Sequence, residues 1–127
     1  MKKAIVLTVI GCLLLSSAFS QDPELRLKEK GITLPTASAP VANYVNAVRV
    51  GNLLYLSGKG PKKADGTDIT GKVGKELTLE QGYAAAQAVA ISHIAVLKAE
   101  LGDLKKVKRI VKVLGMVNCV EGFTDQP

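Results

Sequence analysis

A predicted β-hairpin near the middle of the chain constrains its fold most strongly. Two short runs rich in Val, Leu and Tyr, Tyr44–Val50 and Leu53–Ser57, are separated by only two residues, of which Gly51 is the first. Two-residue loops that begin with glycine are typical of type II′ turns, whose twist matches that of the strands they join. The pattern therefore predicts an antiparallel hairpin with a tyrosine at its start and a serine at its end.

The open end of this hairpin carries candidate binding groups. Tyr44 and Ser57 supply hydroxyl groups, and Gly58 leaves the neighbouring backbone uncovered by a side chain. These groups suit the binding of a small polar molecule. Hairpin tyrosines and turn serines are also common without any ligand, and composition alone favours that second interpretation.

A long helix is predicted in the second half of the chain. After a glycine- and lysine-rich stretch that indicates an exposed loop, Thr78 and Gln81 fit a capping box, and Gly102 fits a helix end. Between them, apolar residues recur at spacings of three and four and predict a buried face. That face comprises Ala86, Val89, Ala90, His93, Val96, Leu97 and Leu101. His93 is expected to be a core histidine that is either satisfied by hydrogen bonds or half-exposed; a catalytic base is the alternative.

A long strand is predicted after the helix, because polar and apolar residues alternate from Lys105 to Cys119. The order strand, strand, helix, strand predicts an α+β domain with helices on one side of a sheet.

The first 20 residues have the layout of a secretory signal peptide. Lys2 and Lys3 precede an apolar run, and small residues lead up to a cleavage site after Ser20. The run is shorter than the roughly 20 apolar residues that cross a bilayer, so no stable membrane span is expected. Export to the periplasm or the medium follows. The alternative is a lipoprotein anchored through Cys12.

The remaining chain is predicted to form a lead-in arm and one domain. Residues 21–40 are expected to be extended because of Pro35 and Pro40, and residues 41–127 are enough for a single domain. The net charge of +6 falls to +4 without the signal peptide, and the basic residues lack interleaved aromatics, so no nucleic-acid surface is predicted. A single His and one remaining Cys give no metal site and no internal disulfide.

The sequence Ala39-Pro40, the tyrosine, the Gly-Asn hairpin and Ser57-Gly58-Lys59-Gly60-Pro61 together resemble the opening of the RidA/YjgF family, also called the L-PSP or enamine/imine deaminase family. The resemblance runs from about Ala39 to the last residue. One departure is Ala42-Asn43, where the family commonly has Gly-Pro before the tyrosine. The resemblance implies a RidA/chorismate-mutase-like sheet with helices on one face. It also implies that a second helix and two further strands would follow residue 127.

The resemblance further implies a function. Members of the family are homotrimers that hydrolyse enamines and imines to 2-oxo acids and ammonia, without a metal or an organic cofactor, in a cleft between subunits. Tyr44, Ser57 and Gly58 match the family's substrate-binding positions. The arginine, asparagine and glutamate that complete the family site would lie beyond Pro127. The alternatives are a trimeric small-molecule-binding module without turnover and an endoribonuclease of the L-PSP type.

Overall fold

A computed structural model describes residues 22–40 and 42–126, so the predicted signal peptide and Cys12 lie outside the described residues. In chain order the described elements are helix α1 (Pro23–Glu29), strands β1 (Ala47–Val50) and β2 (Leu53–Leu56), helix α2 (Leu79–Leu101) and a 3-10 turn (Leu104–Lys106). Helices combined with an antiparallel sheet give the α+β class that the sequence predicts.

Helix α1 occupies part of the segment predicted to be extended. Pro23 stands in its first turn, where the missing N–H costs no hydrogen bond, and the Asp22 carboxylate caps the helix by accepting the backbone N–H of Glu24 at 3.0 Å. The prediction of an extended arm is therefore wrong for residues 23–29, because the later prolines restrict only their immediate neighbours. Residues 32–40 form neither helix nor strand.

The hairpin has the predicted register. β1 and β2 pair antiparallel from Ala47 opposite Leu56 to Val50 opposite Leu53, which leaves a two-residue turn. Gly51 has a φ of +58°, the positive value that primed hairpin turns require and that glycine adopts at little cost. The ladder begins at Ala47, three residues later than predicted.

Helix α2 begins and ends where the sequence predicts. Thr78 and Gln81 form the capping box in both directions, at 2.8 and 3.2 Å, and Gly102 ends the helix with a φ of +74°. By length and composition alone α2 could cross a membrane, but core helices of soluble proteins pass the same test. Length and hydropathy therefore do not distinguish a membrane-spanning helix from a core helix.

The buried core of the described residues is small and lies around α2. It consists of Val73, Ala85, Ala95, Val96 and Leu104. Of the predicted face, Val96 is buried, but Ala86 and Ala90 are exposed. The buried side of α2 therefore differs from the predicted face. Val73 packs against the helix at Gly82, where an added Cβ would lie 3.0 Å from a valine methyl. The glycine lets the loop valine reach the helix.

The predicted strand from Lys105 to Cys119 is wrong as a strand. Its start is the 3-10 turn, and residues 107–118 form no regular element; only Cys119 makes an isolated bridge, to Val73. A strand requires a neighbouring backbone to form its ladder, and the described residues provide one only at Val73. The large side chains of this segment are exposed: Ile110, Val111, Val113, Leu114, Met116 and Val117.

Candidate functional site

The open end of the hairpin is fixed by Ser57. Its hydroxyl donates to the carbonyl oxygen of Val45, and its backbone N–H donates to the carbonyl oxygen of Asn46 at 3.0 Å. Ser57 therefore lies opposite the two residues that follow Tyr44. Its hydroxyl oxygen keeps lone pairs that can accept a hydrogen bond from a ligand or a water molecule.

Tyr44 and Gly58 flank this point with accessible groups. Tyr44 is 44% exposed, and its backbone N–H donates to Ala42 at 2.8 Å in a tight turn. A Cβ added at Gly58 or at Gly60 would meet no heavy atom within 4 Å. The backbone after β2 therefore borders open space, where a small molecule can approach it closely.

Two polar residues that the sequence did not single out join this end of the hairpin. The Lys59 ammonium donates to the Asn46 side-chain oxygen at 2.6 Å, and the Asn46 side-chain nitrogen donates to the carbonyl oxygen of Ser38 at 2.8 Å. The only signal in the sequence is the position of Lys59, two residues after Ser57. Nothing in the spacing of Asn46 and Lys59 indicates that their side chains meet.

His93 on α2 is half-buried, as expected for a core histidine, but it is not fully hydrogen-bonded. Its Nδ1 atom is buried and has no hydrogen-bond partner among the described residues. Burial lowers the pKa of His93, and the positive charge of Lys59 lowers it further.

Other parts of the described chain are weaker candidates for a functional site. No group of three or more His, Cys, Asp or Glu side chains among these residues could hold a metal ion, and Cys119 is a partly buried free thiol. A groove of about 540 Å³ lies between α1, the residues that follow it and Lys98. The predicted site residues do not line this groove, so it does not bear on the hairpin site.

A family model and a curated relative each match most of the chain. The model of the family described as "YjgF/chorismate_mutase-like, putative endoribonuclease" matches residues 24–127. Protein TCP17 of Trypanosoma cruzi is 45% identical over 100 residues, which are 79% of this chain and 62% of that protein.

Two solved structures are similar. A protein of unknown function from Agrobacterium tumefaciens has a TM-score of 0.71 and 42% identity, over 81% of this chain and 63% of its own. A protein from Shewanella oneidensis named a "putative endoribonuclease" has a TM-score of 0.67 and 35% identity, over 71% of this chain and 60% of its own. The chain thus spans about three fifths of the length of these relatives. Because the family model matches nearly all of the described residues, from helix α1 onward, the chain belongs to the YjgF/chorismate mutase-like family.

Proposed function

We propose that this chain carries part of the substrate-binding cleft of an exported, cofactor-free enamine/imine deaminase. The observation that supports the proposal is the open end of the hairpin, where Ser57 is fixed against Val45 and Asn46, the two residues after Tyr44, and Gly58 borders open space. These are the positions at which the RidA-type resemblance implies substrate contacts.

In the proposed reaction the protein mainly positions the water molecule and the imine relative to each other. Water adds to the imine carbon, the nitrogen gains protons, and the carbon–nitrogen bond breaks to give a 2-oxo acid and ammonia. The Ser57 oxygen can accept a hydrogen bond from the attacking water or from the imine N–H, and the exposed backbone at Gly58 can orient the substrate. The partly exposed Tyr44 ring, in the segment before β1, is available to contact the substrate. Holding reactants in place in this way lowers the entropic part of the barrier.

The assembly and the location of the protein belong to the same proposal. A homotrimer would bring a neighbouring subunit against the exposed hairpin end, and the sequence of residues 1–20 supports export. Light scattering on a sizing column measures the first. Cell fractionation with N-terminal sequencing of the mature protein measures the second: a new N-terminus at Gln21 is expected.

The test of the activity is ammonia release from an imine that an amino-acid oxidase generates in situ. We expect the full-length protein to accelerate release over buffer, and Ser57→Ala in that protein to reduce this acceleration by tenfold or more, since the hydroxyl contributes positioning. Ser92→Ala is the matched control, because the Ser92 hydroxyl also donates to a backbone carbonyl, that of Ala88 at 2.9 Å, but lies on α2. No acceleration by the parent protein would reject the deaminase, and binding of 2-oxo acids without turnover would favour a binding module.

An endoribonuclease is the second candidate, favoured by the descriptions of the matched family and of the Shewanella oneidensis structure. Incubation with a labelled single-stranded RNA tests it. Cleavage that disappears in Ser57→Ala but persists in Ser92→Ala would support a ribonuclease at the same site. Intact RNA at high protein concentration would reject it.

A further inference from the structure

We propose that Lys59, held in place by Asn46, binds the carboxylate group of a small ligand at the open end of the hairpin. The inference deepens the proposed function and rests on it for the location of the site. It assigns the positive charge of the site to a residue within the described chain.

Asn46 connects Lys59 to the site residues. Its backbone oxygen accepts the Ser57 N–H at 3.0 Å, while its side-chain oxygen accepts from the Lys59 ammonium at 2.6 Å. The side-chain nitrogen of the same residue is held by Ser38 at 2.8 Å, which fixes the orientation of the amide. The ammonium is therefore positioned at the residue that pairs directly with Ser57.

The charge of Lys59 is available to a ligand. The ion pairs of the described residues join other lysines to carboxylates, namely Lys62, Lys75, Lys98 and Lys105. The Lys59 ammonium instead contacts a neutral amide, which uses one of its three N–H donors. Two donors and an uncompensated positive charge remain in a half-buried place. A carboxylate supplies the missing negative charge and accepts strong, charge-assisted hydrogen bonds.

The surroundings favour an anion over a cation or an apolar group. Gly58 and Gly60 on either side of Lys59 leave open space at the positions where other residues would carry a Cβ. A small carboxylate, such as that of a 2-oxo acid, fits these conditions better than a bulky one, because the glycine backbone can come close to it.

The experiment is a titration of the protein with pyruvate, followed by calorimetry or by amide chemical shifts, so that no turnover is needed. Lys59→Met should weaken binding by about tenfold or more, the range for losing a charged hydrogen bond. Lys59→Arg should retain most of the affinity, since the charge is kept. The matched control is Lys63→Met, which removes the same charge from an exposed position of the same loop and should change binding less than twofold. Pyruvamide, which has no negative charge, should bind the parent and Lys59→Met equally.

A second variant tests the open space without changing charge. Gly58→Ala adds a methyl group where no protein atom lies within 4 Å, and the φ of this glycine is outside the left-handed region. We expect unchanged folding and weaker pyruvate binding.

The outcomes separate this inference from the deaminase proposal. Unchanged pyruvate binding in Lys59→Met, equal losses in Lys63→Met, or no binding of pyruvate by the parent protein would each overturn the inference. Binding that depends on Lys59 in a protein that leaves imines unhydrolysed would uphold it and reject the enzyme. Imine hydrolysis at the same rate in the parent protein and in Lys59→Met would support the enzyme and reject the role of Lys59.

Discussion

Helix α2 and the segment that follows it, residues 107–118, have similarly clear apolar patterns in the sequence but different fates in the structure. The helix forms over its full predicted length and contributes most of the buried core, while the segment has no ladder and exposes its large side chains. The reason is that a helix satisfies its own backbone hydrogen bonds, whereas a strand depends on a neighbouring chain segment. An alternating pattern thus indicates the capacity to pair, and only an available partner turns it into a strand.

The largest expected difference between the two regions is in side-chain truncation. Leu104, at 4% exposure, lies in the 3-10 turn just after α2, and Leu104→Ala should lower the free energy of unfolding by about 2–5 kcal/mol because it leaves a cavity. Leu114→Ala is the control: this leucine is 77% exposed, and the change should stay within about 0.5 kcal/mol. Urea unfolding followed by circular dichroism measures both. Equal losses would mean that residues 107–118 are packed in solution.

The next effect concerns the start of α2. Thr78→Ala removes the side-chain oxygen that accepts the Gln81 N–H at 3.2 Å, and we expect a loss of about 1 kcal/mol. Thr70→Ala, in the exposed loop before the helix, is the control and should have almost no effect on the urea midpoint. An equal loss of stability in both variants would show that the capping hydrogen bond is not the cause.

A smaller effect is expected from pH. Burial depresses the pKa of His93 in the folded state below its ordinary value near 6.5, so the unfolded chain takes up a proton more readily. The stability that this histidine contributes is present above pH 6.5 and is lost as the pH falls below it. Urea midpoints of the parent should therefore fall between pH 7 and pH 5 more steeply than those of His93→Gln. Parallel curves would show that this ring is solvated in the folded state.

The smallest expected effect on stability is at the exposed segment. Met116 is 88% exposed, so Met116→Lys should change the free energy of unfolding by less than about 0.5 kcal/mol. If the uncovered apolar side chains drive self-association, the same change should lower the apparent mass in light scattering at high concentration. A marked loss of stability would show instead that Met116 is covered.

Local signals made the hairpin and α2 predictable. The turn at Gly51 and the capping box at Thr78 each depend on a few adjacent residues, and the structure contains both. Helix α1 also has a local signal, because Asp22-Pro23 is a recognised helix start, and Pro35 and Pro40 lie too far along the chain to prevent it. The buried side of α2 could not be read from the sequence of the helix alone, since Val73, in the loop before the helix, packs against Gly82.

The site was predictable only in part. The positions of Tyr44, Ser57 and Gly58 followed from the hairpin, and their role in binding stays a prediction. The contacts that join Ser38, Asn46 and Lys59 could not be predicted, because they link the segment before the hairpin, the hairpin and the loop after it through side chains. Such contacts depend on the tertiary arrangement and leave no regular spacing in the sequence.

The amide of Asn46 has opposite requirements at its two ends. The carbonyl oxygen of Ser38 can only accept a hydrogen bond, and the ammonium of Lys59 can only donate one. An aspartate in this place would set two oxygens against each other at Ser38, and a leucine of the same shape would leave both neighbours unpaired. Position 46 therefore has no isosteric substitute among the natural amino acids. Only an amide of this shape can donate to Ser38 and accept from Lys59 at the same time.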